Sequence, residues 1–275
     1  MRALSAVDIA LWDLNARTAG VPLWRHLGGA TATPPEAYAS GGYYADGKGL
    51  DELAEEMRSY VAMGFRAVKM KVGGVTPAED DGRIAAVRAA VGPDVAVMLD
   101  ANNAWRDLPE ALRAMRRFET HDPYWIEEPF LPDDVANHAR LAYETSVPVA
   151  TGELEAGRWR VSALLRADAV AVLQSDVAVC GGITEYRRIA ALADDHGVVM
   201  CPHAMHDLHV HVVAATRNAR YVEYFPDDSI SNFGLLVAPR IVPDTGGRLP
   251  LPESPGLGFE FRDDFLDRFA LEPWH

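Results

Sequence analysis

Cysteine is nearly absent. The chain has two, Cys180 and Cys201, too few and too widely spaced for a disulfide scaffold or a zinc cluster. Both stand in apolar runs and read as buried, reduced thiols. Uninterrupted apolar stretches of ~18 residues are also missing, so no membrane helix is expected. The opening MRALSAVDIALWDLNARTAG is broken by Asp8 and Asp13, with no small-residue cleavage site after a hydrophobic core, and is a poor signal peptide. The expected compartment is the cytoplasm. Positive charge is in deficit, with 26 Lys and Arg against 40 Asp and Glu and a net charge of -14. That excludes the basic stripe of a nucleic-acid surface. An anionic substrate stays open, because a bound cation and local lysines can reverse the sign inside a pocket. No G-x-G-x-x-G or Walker-type loop follows any strand-like run, which argues against nucleotide binding.

What is present is a regular alternation. The 275 residues, 49% hydrophobic and 24% charged, suit one (β/α)8 barrel. Ala6, Ile9, Ala10 and Leu14 recur at helical spacing over residues 3–19, and Gly20 stops that helix. The chain thus opens inside a helix, which is odd for a complete domain. Short apolar runs follow at 36–40, 67–72, 95–101, 124–127, 147–152, 169–176, 198–202 and 221–225. Helical periodicity fills 50–63, 79–91, 108–118, 133–145 and 183–196. Strand–helix repeats of this length predict right-handed βαβ units, and eight strands favour a closed α/β barrel over an open sheet. From residue 232 the chain is rich in Pro and Gly, as in GGRLPLPESPGLG, and is expected to leave the barrel and end in a short helix near 262–269.

The unusual polar residues cluster at strand ends: Lys69 and Lys71, Asp100 and Asn102, Glu127 and Glu128, Glu153, Asp176, His203 and Glu223. Each has a plainer reading alone. A strand-end lysine is usually solvated, the acids before Pro129 could begin a helix, and a lone histidine is usually a satisfied core or loop group. Together they would be costly if buried unpaired, and the C-terminal strand face is where barrel enzymes work. Alternation puts Lys69 and Lys71 on one side of their strand, and lets one of Glu127 and Glu128 point inward. Three carboxylates on adjacent strands, without Cys or His, suit a hard cation, Mg²⁺ with Mn²⁺ as substitute. The flanking lysine pair and histidine are general-base candidates on opposite faces of a substrate α-carbon. His206, His209 and His211 in HDLHVH do not match H-E-x-x-H and read as non-catalytic.

With these residues in hand, the chain resembles the mandelate racemase branch of the enolase superfamily. The strings VKMKVGG, MLDANNAW, WIEEP, ATGE, SDVAVCGGITE and CPHAMHD carry the resemblance, which extends over essentially the whole chain. It implies Mg²⁺ on Asp100, Glu127 and Glu153. Lys71 would be the base on one face, with Lys69 touching the substrate carboxylate and lowering its neighbour's pKa. His203, oriented by Asp176, would act from the other face, and a protonated Glu223 would hold the enediolate oxygen. Asn102, Tyr43 and Tyr44 are weaker substrate contacts. The implied reaction is removal of the proton next to a carboxylate. Dehydration of an aldonate- or tartrate-like acid sugar is favoured, partly because YASGGYY and GLGFE resemble such dehydratases. Racemisation or epimerisation of a 2-hydroxy acid is the alternative, and a non-catalytic binding or assembly module a third reading. Family members are commonly homo-oligomers and carry an N-terminal α+β cap of which residues 1–30 look like the last helix. Residues 31–230 would be the barrel and 231–275 a segment returning toward the cap. A fragment, a misassigned start and a degenerate copy would all produce this. The expectation is that such a chain exposes apolar surface and binds substrate weakly.

Overall fold

The computed structural model describes residues 1–30, 32–231 and 233–269; residues 232 and 270–275 of the C-terminal segment lie outside it. Eight strands alternate with helices: β1 (Glu36–Ser40), β2 (Ala67–Lys71), β3 (Ala96–Asp100), β4 (Trp125–Glu127), β5 (Val149–Thr151), β6 (Val172–Leu173), β7 (Val199–Met200) and β8 (Tyr221–Tyr224). The strands pair in parallel in the order β7-β6-β5-β4-β3-β2-β1-β8. At the remaining seam Met200 N–H donates to Asn218 O at 2.8 Å and Arg220 N–H to Met200 O at 3.0 Å. The ring is therefore nearly closed, as eight repeats required.

Local chemistry starts the helices where the chain must turn back. Pro77–Val91 begins at Thr76, whose hydroxyl accepts from Glu79 N–H while Glu79 reaches back to Thr76 N–H at 3.0 Å; Pro77 suits a first-turn position that needs no N–H partner. Leu108–Phe118 starts the same way, Asp107 accepting from Glu110 N–H at 2.8 Å. Its apolar face, Leu108, Ala111, Met115 and Phe118, is buried against the sheet. Arg158–Arg166 is a further helix, outside the periodic stretches read from the sequence, where arginines dilute the apolar pattern.

Helices pack outside the barrel in two apolar clusters. Inside, Tyr38, Ala67, Met98, Trp125, Ala150, Val172, Cys201 and Tyr221 form a plug, with Tyr38 edge-on to Trp125 at 5.4 Å. The plug fills the lower barrel and leaves the upper rim to the polar residues.

The C-terminal segment does not leave the barrel. Leu249 N–H donates to Pro35 O and Ala37 N–H to Gly247 O, so the segment runs against the start of β1. It then clasps the first residues: Leu23 N–H donates to Gly256 O at 2.7 Å, Gly256 N–H to Val21 O at 3.0 Å, and Leu257 N–H to Asp13 Oδ1 at 2.7 Å. Prolines lower the periodic signal without preventing docking by edge hydrogen bonds. A short antiparallel pair, β9 (Val237–Ala238) with β10 (Glu260–Phe261), precedes the expected final helix, Asp263–Phe269. The helix Arg2–Thr18 exposes Leu4, Val7, Leu11 and Leu14, the apolar surface anticipated. Among the described residues no helix is long and apolar enough to cross a membrane.

Candidate active site

Strand register builds the site directly. Lys71 lies opposite Asp100, and Asp100 opposite Glu127. Five of the eight strands, or the residues just past their ends, carry an apolar side chain into the plug and, two residues on, an ionisable one into the rim: Ala67 then Lys69, Met98 then Asp100, Trp125 then Glu127, Cys201 then His203, Tyr221 then Glu223.

Lys69 stands at the centre. Its Nζ is 2.6 Å from Glu127 Oε1, 2.8 Å from Glu223 Oε1 and 3.3 Å from Asp100 Oδ2, with 1% of the side chain exposed. Burial opposes its charge, but Glu127 and Glu223 outweigh that and hold it protonated. The ammonium is enclosed by protein carboxylates, where a substrate carboxylate had been expected. Lys71 Nζ sits 2.5 Å from Asp100 Oδ2 and 5.0 Å from the Tyr43 ring centre. Burial and the Lys69 charge lower its pKa, as the lysine pair suggested. The Asp100 carboxylate more than offsets both, so the group is raised rather than depressed.

The carboxylates divide into two kinds. Burial and the nearby Asp100 push Glu127 up to about 8, and burial with Glu153 pushes Glu128 up to about 7. Glu153 is raised too, first by burial. Glu223 goes the other way, to about 2: burial is outweighed by Lys69, His203 and the Ala204 N–H, which donates to Oε2 at 2.7 Å. In this arrangement Glu223 accepts from the Ala204 N–H and pairs with the Lys69 ammonium. Its pairing with Lys69 could not be read from strand position.

Glu127 and Glu128 both belong to the site. Glu127 is fully buried, and its Oε2 accepts from Trp125 Nε1–H at 3.1 Å. Glu128 adopts a left-handed φ of 42°, which breaks strand alternation and turns its side chain toward the same mouth. Asn103 Nδ2 donates to it at 3.0 Å, and its other oxygen is buried without a protein partner. Asn103 was missed by the sequence reading; two successive asparagines in left-handed backbone were the available signal. Asn102 holds Asp100 by its backbone, N–H to Oδ1 at 3.0 Å.

Across the mouth, His203 Nδ1 lies 3.3 Å from Asp176 Oδ2 and Nε2 lies 3.6 Å from Glu153 Oε2. Burial lowers the His203 pKa, but Asp176, Glu223 and Glu153 raise it to about 9. Asp176 is held well below the usual carboxylate range, the His203 hydrogen bond overcoming its burial.

The two tyrosines separate. Tyr43 stays beside Lys71, whereas the Tyr44 hydroxyl donates to Asp80 Oδ1 at 2.6 Å and accepts from Gly74 N–H. Tyr44 therefore does not join the others. Its ring covers Arg83 at 3.8 Å, and Arg83 donates to the carbonyls of Lys71 and Gly42. Gly42 has φ 64°, and a Cβ there would come within 2.5 Å of Met70 Cβ, so only glycine lets this loop lie on β2. Of the other histidines, the His206 ring centre lies 4.7 Å from that of Tyr224. His211 Nδ1 accepts from Trp24 N–H and its Nε2 donates to Leu257 O.

The donor set fits a hard divalent cation: it is all oxygen, anionic, and crowded enough that Glu127, Glu128 and Glu153 resist ionisation beside their neighbours. As arranged, no three His, Cys, Asp or Glu side chains among the described residues are gathered closely enough to hold a metal ion, and the Lys69 ammonium sits against Asp100 and Glu127.

Residues 52–265 match the family described as enolase C-terminal domain-like, and residues 1–28 match the mandelate racemase/muconate lactonizing enzyme N-terminal domain. The chain belongs to this family, within the enolase superfamily. It is 35% identical to arabinonate dehydratase of Saccharolobus solfataricus, covering 98% of this chain and 72% of that one. It is 36% identical to 3,6-anhydro-alpha-L-galactonate cycloisomerase of Streptomyces coelicolor, with the same coverage. The crystal structure of L-talarate dehydratase from Polaromonas sp. JS666, complexed with Mg and L-glucarate, superposes with a TM-score of 0.89 at 35% identity, covering 98% of this chain and 73% of that one.

Proposed function

We propose that the protein dehydrates an acid sugar, with Lys71 as base and His203 as acid. The carrying observation is the contact of His203 Nδ1 with Asp176 Oδ2, which turns Nε2 toward the mouth opposite Lys71. A racemase would need His203 neutral in one direction of turnover; the Asp176 carboxylate, which does not hold the cation, favours a proton donor. Relatives named as an arabinonate dehydratase and an L-talarate dehydratase support the same choice.

Asp100, Glu127 and Glu153 would hold Mg²⁺, or Mn²⁺ in its place, with Glu128 beside them. Bound there, the cation supplies positive charge that stabilises the second negative charge of the substrate carboxylate as its α-proton leaves. Burial and the Lys69 charge lower the Lys71 pKa, and Asp100, which opposes them, would be shared with the cation. Lys71 Nζ takes the α-proton, and the C–H electron pair moves into the enediolate. As the enediolate collapses, the β C–O bond breaks and the His203 Nε2 proton goes to the departing hydroxyl, which leaves as water. Asp176 keeps the His203 ring turned with Nε2 outward, the orienting role seen in hydrolase dyads. Tyr43 lines the base side.

The test is a magnesium-dependent screen of acid sugars in deuterated water, with Lys71→Ala and His203→Asn as controls. Loss of water from one sugar acid supports the reading. Deuterium at the α-carbon without water loss would make the protein a racemase or epimerase, and no exchange at all would favour the non-catalytic module. The proposal extends to a cytoplasmic homo-oligomer organised as residues 1–30, 31–230 and 231–275. Sedimentation, cell fractionation and limited proteolysis check those three parts.

A further inference from the structure

His209 is fully buried on the helix His206–Ala214 and cannot reach a substrate. Its hydrogen bonds nonetheless converge on the His203–Asp176 pair. His209 Nδ1 is 2.7 Å from Ala204 O, the carbonyl next to His203. Val177 N–H, the amide next to Asp176, points at His209 Nε2 from 3.1 Å. A carbonyl only accepts and an amide N–H only donates, so these partners place a hydrogen on Nδ1 and present Nε2 to the Val177 N–H. One imidazole thereby ties the residue after His203 to the residue after Asp176.

The surroundings show why such a tie matters. Ala204 and Met205 both take left-handed backbone, φ 52° and 40°, unusual for residues with a Cβ. The chain must kink there to pass from β7 into the helix. The Ala204 peptide is pinned on both sides, its N–H by Glu223 and its C=O by His209. On the other strand end, Asp176 Oδ1 takes its hydrogen bond from Ala178 N–H at 2.7 Å, while the His209 Nε2, already an acceptor, lies 3.4 Å away. The His203–Asp176 contact is long, 3.3 Å, and His203 is 30% exposed on its side chain. Its orientation thus depends on how the β6 and β7 ends are spaced.

We propose that His209 is the positioning residue of the His203–Asp176 pair: its ring, held between Ala204 O and Val177 N–H, sets the spacing of two strand ends and so the aim of the acid. The proposal rests on the dehydratase reading for its kinetic consequence, but not for its structural one.

Two kinds of measurement on the full chain with Mg²⁺ test it. In the kinetic arm, His209→Asn keeps a donor near the Nδ1 position and His209→Leu keeps only volume. Leucine is expected to lower kcat for water loss ~10–100-fold, the usual effect of removing an orienting partner, with KM nearly unchanged. Exchange of the α-proton through Lys71 should persist, and asparagine should recover much of kcat. Equal loss of exchange and water elimination, or equal loss in both variants, would mean a purely structural histidine and overturn the proposal. In the spectroscopic arm, ¹⁵N–¹H correlation of the imidazoles should find His209 in the Nδ1–H form. The His203 ring signals should move in His209→Leu and return toward wild type in His209→Asn. Unmoved His203 signals overturn it as well. If the wild type acts on no acid sugar, the dehydratase reading fails, and the spectra alone decide the positioning role.

Discussion

Lys69 and Glu127 meet at 2.6 Å in the buried centre of the barrel mouth, and that ion pair organises the charge around it. Glu223 and Asp100 share the same ammonium, so one lysine compensates three acids on three different strands. Acids left at this depth without that shared cation would cost several kcal/mol. Lys69→Met should therefore affect metal-free and metal-loaded protein differently, losing most stability without Mg²⁺. Thermal melts with EDTA and with Mg²⁺ check this.

The two faces of the mouth should separate by mutation. Lys71→Ala is expected to cut both α-proton exchange and turnover ~10²–10⁴-fold, the usual worth of a general base. His203→Asn and Asp176→Asn should leave measurable exchange while water loss falls by a similar factor. Exchange is followed by NMR in deuterated water and water loss by mass.

Magnesium should raise the melting temperature, and more so at higher pH. Glu127, raised from 4.5 to about 8, favours the metal-free fold while neutral. That contribution is complete below pH 4.5 and is lost as pH climbs through 8. Ligation needs the ionised form, so binding releases protons most strongly around pH 6–8, where Glu128 at about 7 also titrates. Calorimetry in buffers of different ionisation heat measures the release. At ~100 times Kd the cation adds about 3 kcal/mol, and Asp100→Asn or Glu127→Gln should abolish most of it.

Tyr43 and Tyr44 are neighbours with different duties. Tyr43→Phe should raise KM about 2–10-fold, the worth of one hydrogen bond, with little change in melting. Tyr44→Phe breaks the bond to Asp80 and should cost ~1–2 kcal/mol of stability with KM unchanged. Steady-state kinetics beside thermal melts distinguish them.

His211 should make the fold acid-sensitive. Burial lowers its pKa from 6.5 to about 4, so the native state prefers the neutral ring. The stability this represents is complete above pH 6.5 and is lost as pH falls toward 4, up to roughly 3 kcal/mol. His206, also lowered to about 4 by burial, adds in the same direction. Chemical denaturation between pH 7 and 4.5 should show a shallower decline in His211→Gln than in the parent chain.

Much of this architecture was legible before any coordinate. β1 fell where the apolar run 36–40 placed it, and β2, β3 and β4 within two residues, because strand chemistry and helix caps are local. The charged rim was legible for a related reason: period-2 alternation projects residues two apart to one side. What was not legible depends on partners far away in sequence. Glu128 joined Glu127 through a left-handed φ that no strand pattern encodes. Glu223 meets Lys69 because β2 and β8 both flank β1, although the two residues are far apart in sequence. His209 had no signature at all, since its meaning comes from the backbone of Val177 and Ala204.

The clasp between Asp13 and Leu257 joins residues 244 positions apart. Ribosomes add ~5–20 residues per second, so Asp13 waits roughly 10–50 s before its partner has been made. Through that interval Ile9, Trp12 and Ala16 of the first helix lack the barrel helices they pack against, and such long-range closure is intrinsically slow. The helix is thus made well before the other half of its clasp and is among the last elements to be settled.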